Sequence, residues 1–142
     1  MNRRLIRDVA VLVLAAALPA LLAACLHPEL RDGPVPPLKA FEITTKLAID
    51  AGANVLWVDA RDPARFEEGH VPGAMSFPPA AWEERLLLLI EQWKPGMQVV
   101  IYCDGTSCDL SEQLAMRLRD EGGLTDVYFL RGGWDAWKAY RR

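Results

Sequence analysis

The chain has 142 residues, of which 51% are hydrophobic and 25% charged, and its formal net charge is −3. This length and composition predict one compact domain with an appended segment, and the absence of a basic stripe argues against a nucleic-acid-binding protein. The three cysteines and two histidines lack the spacing of a zinc site, so the sequence predicts no metal centre.

The first 25 residues predict an export and membrane-anchoring segment. Arginines at positions 3, 4 and 7 precede the apolar run 9–22, an order that is typical of an export signal. The run ends in Leu22-Ala23-Ala24-Cys25, which resembles the lipobox of bacterial lipoproteins and implies cleavage before Cys25 and lipid attachment to its thiol. The alternative is an uncleaved transmembrane span, because residues 9–26 carry no charge. Both interpretations place the folded domain outside the cytoplasm, in the cell envelope, with the membrane reached through the N-terminus.

Residues 26–39 predict a linker. Four prolines and one glycine lie within residues 27–37, without a hydrophobic period, and such a composition favours extended or polyproline conformations. We therefore expect this segment to hold the folded domain, residues 40–142, away from the membrane.

Within residues 40–142 the hydrophobic pattern alternates between helix and strand. Helices are predicted at residues 41–52, 63–68, 81–93, 110–121 and 134–140, and strands at residues 55–58, 75–77, 98–102 and 126–130. Continuous apolar runs such as residues 55–58 are typical of strands buried on both faces. Because the connections are short, the alternation predicts an α/β domain with a parallel sheet covered by helices on both faces.

Cys103 lies where the strand 98–102 passes into a helix. Asp109 as the N-cap and Glu112 as its capping-box partner predict that this helix begins just beyond Cys108. The loop and cap residues are Cys103, Asp104, Gly105, Thr106, Ser107, Cys108 and Asp109. The backbone N–H groups of residues 104–109 and the positive end of the helix dipole can stabilise an anion, so Cys103 is predicted to be a reactive thiolate.

Four motifs, in chain order, resemble a single-domain rhodanese. They are Val58-Asp59-Ala60-Arg61, Phe66-Glu67-Glu68-Gly69-His70-Val71-Pro72-Gly73-Ala74, Tyr102-Cys103 and Tyr128-Phe129-Leu130-Arg131-Gly132-Gly133-Trp134-Asp135-Ala136-Trp137. The resemblance covers residues 40–140 and implies a three-layer α/β domain with a central five-stranded, mainly parallel sheet flanked by helices. It also implies that Cys103 accepts sulfane sulfur from a small-molecule or protein donor, passes it to a thiol acceptor and needs no cofactor.

The predicted loop departs from the family in its charge. Many members carry arginine or lysine at the end of this loop, whereas here it holds Asp104 and Asp109 and ends in Cys108. Two carboxylates near Cys103 would disfavour the thiolate and repel an anionic donor. We therefore expect a neutral donor or a persulfide rather than thiosulfate.

Four further motif residues are assigned supporting roles. The resemblance implies that Asp59 and Arg61 form a structural pair that orients loops, and His70 is predicted to make a turn-stabilising hydrogen bond. Arg131 lies near the end of the last strand, where α/β sheets gather ligands, and is a candidate contact for the sulfur donor.

Three functions remain open at this point. The first is an exported, membrane-tethered sulfurtransferase with a persulfide on Cys103. The second is a thiol–disulfide module, in which Cys108 acts as a resolving thiol that attacks this persulfide and leaves a disulfide; alternatively, Cys108 only fills space in the loop. The third is a catalytically weak binding module, in which the acidic loop recognises a basic partner.

Overall fold

The computed structural model describes Val13, residues 37–105 and residues 109–141. The chain divides into two compact units, Met1–Pro37 and Leu38–Arg142. Almost all of the first unit lies outside the described residues. The predicted export segment (apart from Val13), Cys25 and most of the predicted linker therefore lie outside them as well. In the described part of the chain, no helix has both the length and the apolar character needed to cross a bilayer.

Within the described residues of the second unit, five strands form one sheet. They are β1 (Glu42–Ile43), β2 (Val55–Asp59), β3 (Met75–Ser76), β4 (Gln98–Tyr102) and β5 (Val127–Leu130). Their order is β1-β5-β4-β2-β3, and all neighbouring strands are parallel. The predicted parallel sheet is confirmed, and its central strand is β4, which leads directly into Cys103.

Five α-helices occur in the same described ranges. They are α1 (Thr45–Asp50), α2 (Pro63–Glu68), α3 (Trp82–Gln92), α4 (Leu110–Asp120) and α5 (Gly133–Tyr140). The start of α2 shows how the sequence sets these bounds, because the Asp62 side chain accepts a hydrogen bond from the Arg65 N–H at 3.0 Å. Pro63 is the first residue of the helix, a position that suits proline because its ring fixes φ near the helical value and it has no N–H to leave unpaired. The predicted α/β class is therefore confirmed.

The prediction of one helix over residues 41–52 is wrong in its first part. Residues 42–43 form β1, which pairs in parallel with the end of β5. Helix α1 begins only after Thr44, whose hydroxyl accepts a hydrogen bond from the Leu47 N–H. A two-residue strand has no hydrophobic period, and its formation depends on a partner at the other end of the domain. The local pattern therefore could not reveal it.

Both faces of the sheet are covered by side chains of the helices and loops. On one face, Val99 and Ile101 of β4 belong to a buried cluster with Leu118 of α4. On the other face, Val100 and Tyr102 belong to a second cluster, to which the side chains of α5 contribute. Each fully buried aliphatic side chain stabilises the fold by about 1.5–3 kcal/mol. Burial on both faces explains why β4 is apolar at consecutive positions.

The carboxyl ends of β2 and β4 meet at one edge of the sheet. Asp59 and Tyr102 are partners in the register of the two strands, and the Ala60 N–H donates to the Tyr102 carbonyl at 2.9 Å. This pairing brings the segment around Arg61 next to Cys103, although the two are far apart in the sequence. The predicted site residues of the first and third motifs therefore lie at the same edge.

Candidate active site

Cys103 follows β4 directly and is almost completely buried. Only 1% of its surface is exposed, and it is disulfide-bonded. Its Sγ lies 3.4 Å from the Oγ of Ser111, which is 2% exposed in the first turn of α4. Because a disulfide sulfur carries no hydrogen, the Ser111 hydroxyl donates this hydrogen bond. Cys103 must be reduced before it can act as the predicted nucleophile.

Part of the predicted loop lies outside the described residues. Thr106, Ser107 and Cys108 belong to that part, as does Cys25. The anion cradle formed by residues 104–109 and the resolving role of Cys108 therefore stay predictions.

The predicted capping box at the start of α4 is wrong, although the helix does begin just beyond Cys108. Asp109 occupies the N-cap position, but its backbone is helical, with φ −78° and ψ −10°, and its side chain makes no capping hydrogen bond. Glu112 instead accepts a hydrogen bond from Lys39 Nζ at 2.7 Å. An N-cap side chain usually folds back onto the first turn from an extended backbone. The Asp109 carboxylate therefore does not cap the first-turn N–H groups of α4.

The start of α5 holds the backbone of Cys103 and Asp104. The Trp134 N–H donates to the Cys103 carbonyl at 2.7 Å, and the Asp135 N–H donates to the Asp104 carbonyl at 3.1 Å. Gly133 allows this approach, because its φ is +51° and a Cβ at this position would collide with the Cys103 carbonyl oxygen. Gly133, the first residue of α5 and part of the fourth motif, thus positions the start of the loop.

Asp59 and Arg61 form a buried ion pair. The guanidinium donates to both oxygens of the Asp59 carboxylate at 2.7–3.2 Å, and also to the Gly69 carbonyl at 2.7 Å. Asp59 is 0% exposed and Arg61 5% exposed. Burial lowers the pKa of Arg61, but the hydrogen bonds and the charge of Asp59 outweigh it, so that the pKa is raised. Arg61 therefore stays charged, and the pair ties the end of β2 to the loop that contains Gly69.

Tyr102 supports this pair from β4. The Arg61 guanidinium carbon lies 5.7 Å from the centre of its ring, and its hydroxyl accepts a hydrogen bond from the Val71 N–H at 3.0 Å. Burial raises the pKa of Tyr102, so its phenol stays neutral. Its ring also stacks on Trp134 with centroids 6.1 Å apart. These contacts fix the residue that immediately precedes Cys103.

His70 lies in the turn that follows α2. Its Nδ1–H donates to the Phe66 carbonyl at 2.8 Å, and the two rings stack with their centroids 3.8 Å apart. These contacts hold the turn, in agreement with a turn-stabilising role.

A cavity of about 270 Å³, here named the Asp104 cavity, lies beside the start of the loop. Its lining residues are Arg61, Arg65, Glu68, Gly69, Asp104, Trp134, Asp135 and Lys138. The Asp104 carboxylate lies 3.2 Å from the Arg65 guanidinium and 3.7 Å from that of Arg61. From the sequence alone, we expected the negative charge of Asp104 to disfavour the Cys103 thiolate. The two neighbouring arginines offset part of this charge and so weaken that effect.

Arg131 is not among the residues that line the Asp104 cavity. Its guanidinium donates to a Glu42 carboxylate oxygen at 2.7 Å, and it lines a different, open cavity with Lys46 and Tyr140. The structure therefore brings Arg131 to β1, and this geometry gives no support to a contact with the sulfur donor.

The described part of the site contains the Cys103 sulfur, the buried Ser111 hydroxyl that donates to it, and the charged side chains that line the Asp104 cavity. No group of three or more His, Cys, Asp or Glu residues there is arranged to hold a metal ion. Once Cys103 is reduced, the arrangement is suited to nucleophilic sulfur chemistry, with Ser111 donating to the sulfur.

A model of the rhodanese-like domain matches residues 44–140. The chain belongs to the rhodanese-like family. The thiosulfate sulfurtransferase GlpE of Coxiella burnetii is 30% identical over 104 residues, which cover 72% of this chain and 84% of that protein. The uncharacterised protein YqhL of Bacillus subtilis is 31% identical over 80 residues, but these cover only 56% of this chain and 58% of that protein.

A solved structure shows the same rhodanese-like fold. The solution structure of the rhodanese-like domain of Alr3790 from Anabaena matches with a TM-score of 0.56 at 24% identity, over 70% of this chain and 74% of that one. Since this identity is low, the match supports the five-stranded parallel α/β architecture and nothing more specific.

Three residues of this rhodanese-like site were missed by the sequence analysis, namely Arg65, Ser111 and Lys138. Arg65 and Lys138 are polar residues on helix surfaces, and no sequence pattern places them at a common cavity. Ser111 did carry a signal, because it shares helical spacing with the buried residues Leu114 and Leu118. A serine on the apolar face of α4, in the first turn after the loop, could have been predicted to face Cys103.

Ser111→Ala is expected to slow alkylation of reduced Cys103 by iodoacetamide at pH 7 by about tenfold or more. A hydrogen bond to a charged group contributes roughly 1.5 kcal/mol or more, and its loss disfavours the thiolate. The rate is read by mass spectrometry on the peptide that contains Cys103. Ser76→Ala, at the end of β3, is the matched control and should leave the rate unchanged. Equal rates for Ser111→Ala and the unmodified protein would contradict the assigned hydrogen bond.

Arg131→Met is expected to lower the thermal unfolding midpoint near pH 7 and to do so less at pH 3. The hydrogen bond from Arg131 lowers the pKa of Glu42 below its ordinary value of 4.5. A carboxylate with a lowered pKa stabilises the fold above its unfolded pKa, and this stability is lost as the pH falls through the folded pKa. Glu42→Gln should show the same pH dependence. Neither variant should change the sulfur loading of Cys103. A large loss of loading in Arg131→Met would instead support the predicted contact between Arg131 and the sulfur donor.

Proposed function

We propose that the protein is an exported, membrane-tethered sulfurtransferase that carries sulfane sulfur as a persulfide on Cys103. The observation that carries the proposal is the position of Cys103 at the carboxyl end of the central strand, with its Sγ 3.4 Å from a buried hydroxyl donor. Membership of the rhodanese-like family and the 30% identity to GlpE support sulfur transfer as the class of reaction.

The proposed reaction begins with reduced Cys103. Its thiolate attacks the outer sulfur of a donor persulfide, forming an S–S bond to that sulfur as the S–S bond of the donor breaks and the donor leaves as a thiolate. An acceptor thiolate then attacks the outer sulfur of the Cys103 persulfide, and the Cys103 thiolate leaves. The Ser111 hydroxyl donates to the Cys103 sulfur and stabilises its charge in both steps.

Two single variants separate this proposal from its alternatives. The reduced full chain, Cys103→Ser and Cys108→Ser are treated with a persulfide donor, and bound sulfane sulfur is trapped by alkylation. A sulfurtransferase that uses Cys103 loses the label in Cys103→Ser and keeps it in Cys108→Ser. Absence of label in all three proteins would favour the catalytically weak binding module, in which the loop recognises a basic partner.

A thiol–disulfide function is the second candidate, favoured by the disulfide bond of Cys103. In this chemistry the Cys108 thiolate attacks the inner sulfur of the Cys103 persulfide and forms a disulfide, and the outer sulfur leaves as hydrosulfide. Two cysteines are thereby oxidised and one sulfane sulfur is reduced. Peptide mapping of the non-reduced, donor-treated protein should then find a Cys103–Cys108 link together with released hydrosulfide. Two free thiols would exclude this candidate.

Export and tethering are proposed from the N-terminal sequence, with Cys25 as the lipidated residue. In cells that make the full chain, the protein should incorporate labelled fatty acid and fractionate with membranes. Cys25→Ser should abolish the label. Retention in the membrane without any label would instead favour the uncleaved span, and a soluble cytoplasmic protein would contradict both forms of tethering.

A further inference from the structure

Helix α3 carries two exposed apolar side chains beside its buried face. The buried face packs into the core of the domain through Trp82, Leu86 and Leu89. Leu87 and Ile90 each follow a residue of that face by one position, and they are 66% and 47% exposed. A helix on the surface of a domain normally has one apolar face and turns polar side chains toward solvent. The packing of the domain itself therefore does not account for Leu87 and Ile90.

The lateral face of α3, as we name it, is formed by Glu83, Leu87 and Ile90. These residues are spaced by four and then three positions, so they lie in one row along the helix. Lys94 follows Ile90 by four positions, just beyond the carboxyl end of α3. Glu83 and Lys94 are exposed, and within the described residues neither side chain makes a hydrogen bond or an ion pair. The row thus runs from an acid through two apolar side chains to a base.

This order of charged and apolar side chains is complementary to itself when two copies of α3 run antiparallel. Leu87 of one copy then lies opposite Ile90 of the second copy, and Glu83 lies opposite Lys94. A twofold axis repeats both contacts, as in the interface of a symmetric dimer. A parallel pair would instead bring Glu83 against Glu83 and Lys94 against Lys94, and like charges in contact oppose association. Antiparallel pairing therefore matches both the apolar centre and the charged ends.

The small size of the lateral face limits the strength of this association. Leu87 and Ile90 alone supply its apolar centre, and Glu84 and Glu91 lie on its solvent side, outside the row. Interfaces of standard size use about 20–30 residues on each side. We therefore expect a weak and reversible dimer, which two copies held on one membrane would form more readily than two copies in solution.

We propose that the lateral face of α3 is the contact surface of a weak, symmetric homodimer in which the two α3 helices pack antiparallel. No residue of α3 is among those that line the Asp104 cavity. Substitutions on the lateral face should therefore leave the sulfur loading of Cys103 unchanged. The inference does not depend on the proposed function, since it rests on the surface of one helix.

Photocrosslinking tests the centre of the contact. Purified full-chain protein with p-benzoylphenylalanine in place of Leu87 is mixed with an isotope-labelled copy that lacks the probe, irradiated, and analysed by mass spectrometry. The adduct should join the probe to residues 86–94 of the labelled copy, which contain Ile90. The same probe in place of Leu47, which is 53% exposed on α1, is the control and should give no adduct between copies.

Charge reversal tests the antiparallel orientation. Glu83→Lys and Lys94→Glu each turn two attractive contacts of the dimer into two repulsive ones, so the yield of adduct should fall by about tenfold in each. A mixture of the two variants should recover the yield, because the lysines of one variant then face the glutamates of the other. Glu67→Lys, at an exposed position of α2, changes the net charge as Glu83→Lys does and should leave the yield unchanged.

Three results would each overturn the inference. The first is the absence of an adduct between copies, including the case in which the probe reacts only with lipid or detergent. The second is failure of the mixed variants to recover the yield, and the third is an equal loss in Glu67→Lys. None of these measurements uses sulfur transfer, so a failure of the proposed function would leave the dimer standing and the reverse also holds.

Discussion

Asp59→Ala is expected to lower the free energy of unfolding by about 3–5 kcal/mol, because it leaves the buried Arg61 guanidinium without its carboxylate. The partner carboxylate makes the shortest contact of this guanidinium to a side chain, at 2.7 Å. Two contacts of Arg61 remain, the hydrogen bond to the Gly69 carbonyl and the Asp104 carboxylate at 3.7 Å. The Asp104 carboxylate is half exposed and lies closer to Arg65, so it does not replace the buried, directly hydrogen-bonded charge of Asp59. Denaturant titration followed by tryptophan fluorescence measures the change.

Asp50→Ala is the matched control for this prediction. Asp50 also forms an ion pair, with Lys46 one helical turn away, but both side chains are more than half exposed. Exposed pairs of this kind add little to stability. If Asp59→Ala were no more destabilising than Asp50→Ala, the buried pair would not be a structural element of the site.

Gly133→Ala is expected to lower the free energy of unfolding by about 2–4 kcal/mol and to slow sulfur loading of Cys103. An alanine would have to adopt a left-handed backbone, which costs about 1–2 kcal/mol, and its Cβ would press on the Cys103 carbonyl. The hydrogen bond from the Trp134 N–H to that carbonyl would lengthen. Because this bond holds the start of the loop, the effect should extend from stability to the rate of loading.

Gly123→Ala separates the backbone strain from the collision. Gly123 also has a positive φ, +68°, but nothing lies within 4 Å of a Cβ at this position. Its replacement should cost only the left-handed backbone energy and leave loading unchanged. Equal losses of stability and of loading in the two variants would show that the contact between Gly133 and Cys103 has no special role.

Much of the fold was predictable because its causes are local. The continuous apolar runs of β2, β4 and β5 and the Asp62-Pro63 start of α2 each have a direct signature in the sequence. Strand β1 had none, because two residues form a strand only when β5 is beside them. The Asp109 capping box failed for a related reason, since the residue types were right but the backbone at Asp109 is helical.

The site was predictable only in part. Cys103 and the Asp59–Arg61 pair carry motif signals, whereas Arg65 and Lys138 reach the Asp104 cavity through the packing of α2 and α5. The sequence therefore led us to treat Asp104 as an uncompensated charge. Only the arrangement in space shows that two arginines lie next to it.

The central claim is that Cys103 is the sulfur carrier, and intact-mass measurement tests it most directly. Reduced full-chain protein is incubated with thiosulfate and, separately, with glutathione persulfide, and the added mass is mapped to a peptide. We expect a gain of one sulfur on Cys103 from the persulfide, little from thiosulfate and none in Cys103→Ser. No gain from either donor, or an unchanged gain in Cys103→Ser, would contradict the claim.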